Sequence, residues 1–209
     1  MHSDSMIIDK RVKVIYIEDD FRYIERVEKR IRSDVRLDYL GHAMDKTAGV
    51  KMACDLQPDV VLVDLSLSNN DFYGDEGVEA AKTIRLATSA KIVFLSAHED
   101  PDTMKNACSK SFASGYIFKS QHRTYSEEIY NAATATTPQK EFIKDMALKA
   151  LTSAEMDVVK GLINGRIQGN TDTSPNGAKE KTIANQKTKI FEKLGLKNTE
   201  ELLHVFRNW

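Results

Sequence analysis

Four short apolar runs of the sequence each end at residues whose side chains could do chemistry. These side chains are two adjacent carboxylates, a third carboxylate, a hydroxyl and an ammonium. Glu18 and Asp19 follow the first run, Asp64 the second, Ser96 closes the third, and Lys119 closes the fourth. Each run is rich in aliphatic and β-branched residues, which is typical of a strand buried on both faces. Because the carboxyl ends of parallel strands meet at one edge of a sheet, these side chains could share one pocket.

Three carboxylates in one pocket repel one another and would not all stay ionised unaided. Mg²⁺ resolves the repulsion because it takes carboxylate oxygens and water and leaves room for a phosphoryl group. Such a site suits phosphorylation of Asp64, with Mg²⁺ and Lys119 stabilising charge on the equatorial phosphoryl oxygens. The other interpretation is that these residues are unrelated polar groups that end strands and begin turns.

The pattern of the first 136 residues predicts the elements that must position this site. Strands alternate with amphipathic helices, and this order specifies a parallel sheet with helices on both faces. We therefore expect an α/β, doubly wound, five-stranded parallel sheet. The predicted strands are 12–17, 36–42, the run that ends at Asp64, 91–96 and 115–119, and the predicted helices include 44–57, 100–111 and 125–136.

The composition, with 41% hydrophobic and 29% charged residues, provides enough apolar content for a core in an ordinary soluble protein. No apolar run is long enough for a membrane span, and the first residues lack a signal-peptide core, so we expect no membrane association. Cys54 and Cys108 have no metal-ligand or redox spacing, and we expect two buried thiols in a reducing cytoplasm.

Four motifs in this order resemble the receiver domain of bacterial two-component response regulators. They are Ile-Glu-Asp-Asp at 17–20, Leu-Val-Asp-Leu at 62–65, Phe-Leu-Ser-Ala at 94–97 and Gly-Tyr-Ile-Phe-Lys at 115–119, and the resemblance spans about residues 11–136. It implies a flavodoxin-like receiver (residues 1–136) that a sensor histidine kinase phosphorylates.

The same resemblance implies a role for each matching residue. Asp64 would be the phosphoacceptor, and Glu18 and Asp19 the acidic pair that binds Mg²⁺. The backbone carbonyl of Ser66 would be a further Mg²⁺ ligand, and the hydroxyl of Ser96 would bind the phosphoryl group. The ammonium of Lys119 would stabilise its charge, and Tyr116 would be the aromatic whose rotamer follows the phosphorylation state.

Two features of this region bear on those roles. The spacing from Asp64 to Gly77 is several residues longer than in the family, and the added loop either reshapes access for a kinase, alters the metal shell, or is a solvated insertion. Haloacid-dehalogenase-like phosphatases also use an aspartate nucleophile, but they need a second Asp two positions later, where this chain has Ser66. We therefore expect no turnover of small phosphoesters, and a protein that is not an enzyme.

The C-terminal third carries a different, purely helical pattern after a predicted linker at 137–150, which includes a short connecting helix. Thr152 and Glu155 have the spacing of a capping box, which predicts a helix with Met156, Val159, Leu162 and Ile163 on its apolar face. Further helices are predicted at 182–194, stopped by Gly195, and at about 199–207.

The predicted C-terminal domain, residues 151–209, resembles the LuxR/NarL-type helix-turn-helix module, a small all-α domain, over about residues 151–206. The resemblance depends on Leu-Thr-x-x-Glu at 151–155, Gly165, Thr182-Ile183 and Lys-Leu-Gly-Leu at 193–196. It implies that 182–194 is a recognition helix for promoter DNA, and that the protein forms a homodimer on activation. The candidate DNA contacts are Lys181, Asn185, Thr188 and Lys189. The alternative is a solvated helix face with some lysines.

The segment 166–181 departs from that module. The family has a short positioning helix here, whereas this stretch is rich in Gly, Asn, Thr, Ser and Pro, which favour turns. We expect this second helix to be lost or remodelled, which would weaken or rearrange DNA contacts. Two functions therefore stay open: a phosphorylated DNA-binding transcriptional regulator, or a protein-interaction module whose altered helix-turn-helix no longer binds DNA.

Overall fold

The computed structural model describes residues 10–68, 75–167 and 177–209, without the side chains of 177–181. A five-stranded parallel sheet has the order β2-β1-β3-β4-β5. The strands are β1 (Val12–Ile17), β2 (Leu37–Ala43), β3 (Val60–Val63), β4 (Lys91–Ser96) and β5 (Gly115–Phe118). The predicted doubly wound sheet is confirmed.

Five helices cover the two faces of the sheet: α1 (Phe21–Arg32), α2 (Lys46–Leu56), α3 (Asp75–Ala87), α4 (Pro101–Ser111) and α5 (Tyr125–Thr134). Successive strand residues point to opposite faces, so β1 supplies both cores. Val14 and Tyr16 pack with α1 and α5, whereas Ile15 and Ile17 pack with α2, α3 and α4. The inner strands β1, β3 and β4 are almost fully buried because helices lie over both of their faces, whereas the edge strand β2 is only partly buried.

Side-chain caps explain where several helices begin. Asp20 accepts a hydrogen bond from the backbone of Arg22, and Asp100 accepts one from Thr103, at the first turns of α1 and α4. The predicted capping box is confirmed, since Thr152 accepts from the backbone N–H of Glu155 and the Glu155 carboxylate accepts from that of Thr152. These caps set the positions of helices on both sides of the predicted linker.

The C-terminal third consists of α6 (Pro138–Leu148), α7 (Ser153–Ile163), α8 (Gly177–Leu194) and α9 (Thr199–Asn208) among the described residues. Helix α8 begins five residues before the predicted start, so the expectation of irregular structure was wrong for 177–181. Residues 178–181 are Ala-Lys-Glu-Lys, which are good helix formers. The predicted remodelling of the second helix concerns mainly 168–176, which lie outside the described residues.

The C-terminal helices pack directly against the sheet domain. Helix α6 contacts α4 and β5, and α9 contacts both α3 and α7. Buried residues of α6, α7, α8 and α9 join the same hydrophobic cluster as Ile15, Val61 and Phe94 of the sheet. The connecting helix that we predicted within the linker at 137–150 is present as α6, and it packs against the sheet domain.

Two burial expectations were wrong. Cys54 is exposed on α2, whereas Cys108 is buried as expected. In α7, Ile163 is 39% exposed and Val158 is only 6% exposed. Helix α7 contacts both α8 and α9, and this second neighbour widens its buried stripe to include Val158. Within the described part of the chain, no helix has the length and apolar character needed to cross a membrane.

Candidate functional site

The carboxyl ends of β1 and β3 bring the predicted acidic residues together. Ile17 and Val63 are paired in the parallel register, so Glu18 and Asp64 leave the sheet side by side. One carboxylate oxygen from each of Glu18, Asp19 and Asp64 lies within 4.8 Å of the other two. A cluster of three carboxylates, formed from two neighbouring strand ends, is therefore present as the sequence predicted.

Lys119 joins this cluster from the end of β5. Its ammonium lies 2.6 Å from Glu18 Oε2 and 2.9 Å from Asp64 Oδ2. It also lies 4.2 Å from the centre of the Tyr23 ring, which adds a cation–π contact. Lys119 is thus positioned to place positive charge beside any group that is bound to Asp64.

The electrostatics of the cluster favour an additional cation. Burial raises the pKa of Asp64 above its ordinary value. Burial, followed by repulsion from Asp64, does the same to the pKa of Glu18. Burial alone would lower the pKa of Lys119, but its attraction to Asp64 and Glu18 raises it overall. One ammonium therefore stays charged without fully compensating the buried carboxylates, and three close carboxylate oxygens fit a hard divalent cation.

Two tyrosines that sequence reasoning missed support the cluster. The Tyr16 hydroxyl donates a hydrogen bond to Glu18 Oε2, and the Tyr125 hydroxyl donates one to the Lys119 backbone oxygen at 2.7 Å. Tyr16 lies in β1, two residues before Glu18, which directly follows the strand in extended continuation, so both side chains point to the same side. That spacing was a signal for Tyr16, whereas the approach of Tyr125 depends on how α5 packs.

Gly77, at the far end of the long loop, closes over the backbone of Asp64. Its N–H donates to Leu65 O at 3.1 Å. A Cβ atom on Gly77 would lie 2.2 Å from Asp64 O and 2.5 Å from Leu65 O, so no other residue fits without displacement. The loop therefore returns to a close contact with the site, and its residues 69–74 lie outside the described residues.

The three remaining predicted receiver residues converge on His98, which sequence reasoning did not identify. Its backbone N–H lies 3.2 Å from Ser96 Oγ, and its backbone oxygen accepts from the Tyr116 hydroxyl at 2.7 Å. Its ring nitrogen Nε2 lies 3.1 Å from Ser66 Oγ. The position of His98 two residues after Ser96 was the available signal. The Tyr116 side chain is buried, and its hydroxyl contacts His98.

The predicted DNA contacts lie elsewhere, on α8. Asn185, Thr188 and Lys189 are exposed and share one face at helical spacing, while Ile190 and Leu194 are buried on the other. The side chain of Lys181 lies outside the described set. The docked C-terminal helices thus leave this part of the α8 surface open to solvent.

Comparison with known proteins gives matches to both parts of the chain. Residues 14–131 match the model of the response regulator receiver domain. The transcriptional regulatory protein YdfI of Bacillus subtilis is 23% identical over 92% of this chain and 94% of its own length. The response regulator protein VraR of Staphylococcus saprophyticus is 22% identical over 94% of this chain and 97% of its own.

Two solved structures resemble the fold. A structure of the response regulator RcsB from Salmonella typhimurium has a TM-score of 0.54 and 22% identity, covering 93% of this chain and 96% of its own. The receiver domain of a NarL regulator from Mycobacterium tuberculosis has a TM-score of 0.53 and 21% identity, covering 59% of this chain and 97% of its own. The first likeness extends the shared fold into the C-terminal helices.

Proposed function

The chain belongs to the response regulator receiver domain family, and on that premise we propose that a sensor histidine kinase phosphorylates it on Asp64 to control transcription. The observation that carries this proposal is the contact of Lys119 with both Asp64 and Glu18, at 2.9 and 2.6 Å. A phosphoryl group on Asp64 would add negative charge where this ammonium is already held.

Each residue of the site has its own role in phosphoryl transfer. A carboxylate oxygen of Asp64 forms the bond to phosphorus while the bond from phosphorus to the donor nitrogen of the kinase breaks. Glu18, Asp19, Asp64 and the backbone carbonyl of Ser66 would hold Mg²⁺, which when bound supplies positive charge at the phosphoryl oxygens. Lys119 and the Ser96 hydroxyl bind those oxygens directly, and Tyr116 is the aromatic that responds to them.

The product of this reaction is the phosphorylated protein itself, so we propose a regulator and not an enzyme. Its similarity to YdfI and VraR over more than nine-tenths of their lengths supports a role in transcription for the whole chain. We assign promoter DNA to the exposed face of α8, with Asn185, Thr188 and Lys189 as contacts, together with Lys181. The protein would act in the cytoplasm and form a homodimer on activation.

Phosphorylation is tested with acetyl phosphate as a small-molecule donor, with and without Mg²⁺, followed by intact-protein mass spectrometry. We expect one added phosphoryl group in the parent, none in Asp64→Ala, and a strong reduction when Mg²⁺ is removed. Asp55→Ala, at an exposed position of α2, serves as the matched control and should be labelled like the parent. Labelling of Asp64→Ala at the parental level would refute the assignment of Asp64.

DNA binding is tested by capture of pooled genomic fragments at two salt concentrations. Selective capture that declines steeply with salt, and that is lost in the double variant Asn185→Ala with Lys189→Gln, is the expected result. The competing function is protein interaction through the C-terminal helices. It is favoured if the phosphorylated parent captures no fragments selectively at either salt concentration.

A further inference from the structure

Hydrogen bonds to helix ends hold the C-terminal helices on the sheet domain. Lys82 of α3 donates to the backbone oxygen of Gly195, which directly follows α8, at 2.6 Å. Arg85, also on α3, donates to the backbone oxygen of Val205 in α9 at 3.1 Å. Backbone oxygens near the carboxyl end of a helix carry partial negative charge, so cations on α3 are favourable partners for them. Helix α3 therefore binds both α8 and α9 at or near their carboxyl ends.

Two further contacts attach the C-terminal helices near β5. The Trp209 ring lies edge-on to Phe112 at a centroid distance of 5.3 Å, and its indole N–H donates to Ala113 O at 3.0 Å. On α6, Gln139 Oε1 accepts from the Tyr116 N–H at 3.1 Å, and Gln139 Nε2 donates to Tyr116 O at 2.8 Å. The helices are thus attached at α3, at the loop before β5 and at the edge of β5 itself.

Separation of these helices from the sheet domain would expose a large apolar surface. Ile143 of α6, Val205 of α9 and Trp209 are each at most 5% exposed. They belong to the same buried cluster as Phe94 and Phe112 of the sheet domain. Because exposure of buried apolar surface to water is unfavourable, the docked arrangement of the C-terminal helices is the stable one.

The face of α8 that we assign to DNA lies away from these contacts. Asn185, Thr188 and Lys189 are exposed although α8 is docked. Asn185 precedes Gly195, where Lys82 holds the helix end, by ten residues, or about 15 Å along the helix axis. A recognition helix must present an accessible face to the major groove, and α8 meets this requirement while its carboxyl end is held by α3.

We propose that promoter DNA binds the docked form of this protein, with the C-terminal helices still held on its own sheet domain. The proposal rests on the proposed function, because it needs α8 to bind DNA. It differs from a mechanism in which the C-terminal helices must first be released. Phosphorylation of Asp64 has no need to expose α8, and it would act on DNA binding through the pairing of two copies of the chain.

A cross-link that can be cleaved tests whether release is needed. Lys82→Cys and Lys197→Cys place thiols on the two sides of the contact between α3 and the end of α8. Cys54→Ser removes the exposed native thiol, whereas Cys108 is buried. A bismaleimide with an internal disulfide joins the two new thiols within one chain, and a reductant cleaves it afterwards. The same protein is therefore compared in a locked and an unlocked form.

The matched control has Lys197→Cys and Cys54→Ser without the second thiol, so the reagent is attached but joins nothing. Every sample is treated with acetyl phosphate and Mg²⁺ before capture of pooled genomic fragments. Mass spectrometry identifies the cross-link within one chain and quantifies the phosphorylation of each sample. Differences in DNA binding are then compared at equal extents of phosphorylation.

We expect the locked and unlocked forms to capture the same fragments, with Kd values that differ by less than about threefold. A larger loss of affinity in the locked form, restored by cleavage and absent from the control, would overturn the proposal.

Trp209 fluorescence provides a second readout in the parent protein, because Trp209 is the only tryptophan in the sequence. Its ring leaves Phe112 only if the C-terminal helices separate from the sheet domain, so we expect emission typical of a buried indole with and without DNA. A shift of the emission to longer wavelength on DNA binding would equally overturn the proposal.

Failure of this inference is distinguishable from failure of the proposed function. Selective capture of fragments by the unlocked form alone refutes only the inference. If the phosphorylated parent and both forms capture no fragments selectively, the assignment of DNA to α8 fails, and this inference fails with it.

Discussion

The two ends of the parallel sheet both bury cations, but they neutralise them differently. At the carboxyl ends of the strands, Lys119 contacts two carboxylates. At the amino ends, the partners of Arg85 among the described residues are backbone oxygens, those of Ala90 and Val205, each at 3.1 Å. Lys91 likewise donates to the backbone oxygen of Asn208. The first arrangement pairs charge with charge, and the second places cations at the carbonyl end of a helix.

The pKa values of the cations at the two ends of the sheet shift in opposite directions. Attraction to Asp64 and Glu18 raises the pKa of Lys119 despite its burial. Burial lowers the pKa of Arg85 to about 10, and burial followed by repulsion from other cations lowers that of Lys91 to about 8. The partial negative charge at the end of α9 compensates less than a carboxylate does. Cations therefore add little net stability at the junction between the sheet domain and the C-terminal helices α6 and α9, and apolar contacts must hold these two parts together.

The largest expected effect on stability comes from removing the cation at the carboxyl ends of the strands. Lys119→Met leaves two buried carboxylates without their cation and should lower the free energy of unfolding by about 4 kcal/mol at neutral pH without Mg²⁺. Urea unfolding measures the change. The same substitution at Lys105, whose ion pair with Asp102 is exposed, should cost less than about 0.5 kcal/mol. Equal losses of stability in Lys119→Met and Lys105→Met would contradict the difference that we expect between a buried and an exposed ion pair.

Breaking the apolar part of the junction should have the next largest effect. Trp209→Ala removes the ring contacts with Phe112 and Phe206 and the hydrogen bond to Ala113, at an expected cost of about 3 kcal/mol. Circular dichroism during urea unfolding measures it. Phe142→Ala, at a position that is 50% exposed, is the aromatic control and should change stability by about 0.5 kcal/mol or less. A loss that small in Trp209→Ala would show that the junction is held elsewhere.

Stability measured at a series of pH values tests whether the Lys91 ammonium is poorly compensated. Its pKa is about 8 in the folded protein against 10.5 ordinarily, so between those values the unfolded chain binds more protons. The stability of the parent relative to Lys91→Met should therefore rise from pH 8 to 10.5, by about 1 kcal/mol after solvent screening. Thermal unfolding of both proteins across this window measures the rise. A stability difference independent of pH would argue against a half-buried, poorly compensated ammonium at Lys91.

The smallest effect on stability is expected at Glu155, where hydrogen bonds rather than burial shift the pKa. Its hydrogen bond with Lys193, followed by that from the Thr152 backbone, lowers its pKa to about 2. The stabilisation is complete above the ordinary value of 4.5 and is lost as the pH falls toward 2. Glu155→Gln should thus have a slightly lower Tm than the parent at pH 7, and the gap should close in acid. A gap that persists at pH 2 would mean that Lys193 is not the cause.

Much of the sheet and of the phosphorylation site could be predicted because both depend on local patterns. Buried parallel strands are continuous apolar runs, and their carboxyl ends must meet at one rim. The positions of Glu18, Asp64 and Lys119 directly at the ends of such runs were therefore sufficient to place them together. The capping box of Thr152 with Glu155 could be predicted in the same way, since the two residues are only three positions apart.

The junction could not be predicted in the same way. Gln139 and Tyr116 are 23 positions apart, Trp209 and Ala113 are 96 apart, and Arg85 and Val205 are 120 apart. No helical or strand period relates such distant residues, and the predicted linker gave no indication of which surface α6 would cover. The sequence by itself determined which groups stand at the strand ends. Only the tertiary packing decided which residues hold the C-terminal helices to β5, because those contacts exist only after separate elements have docked.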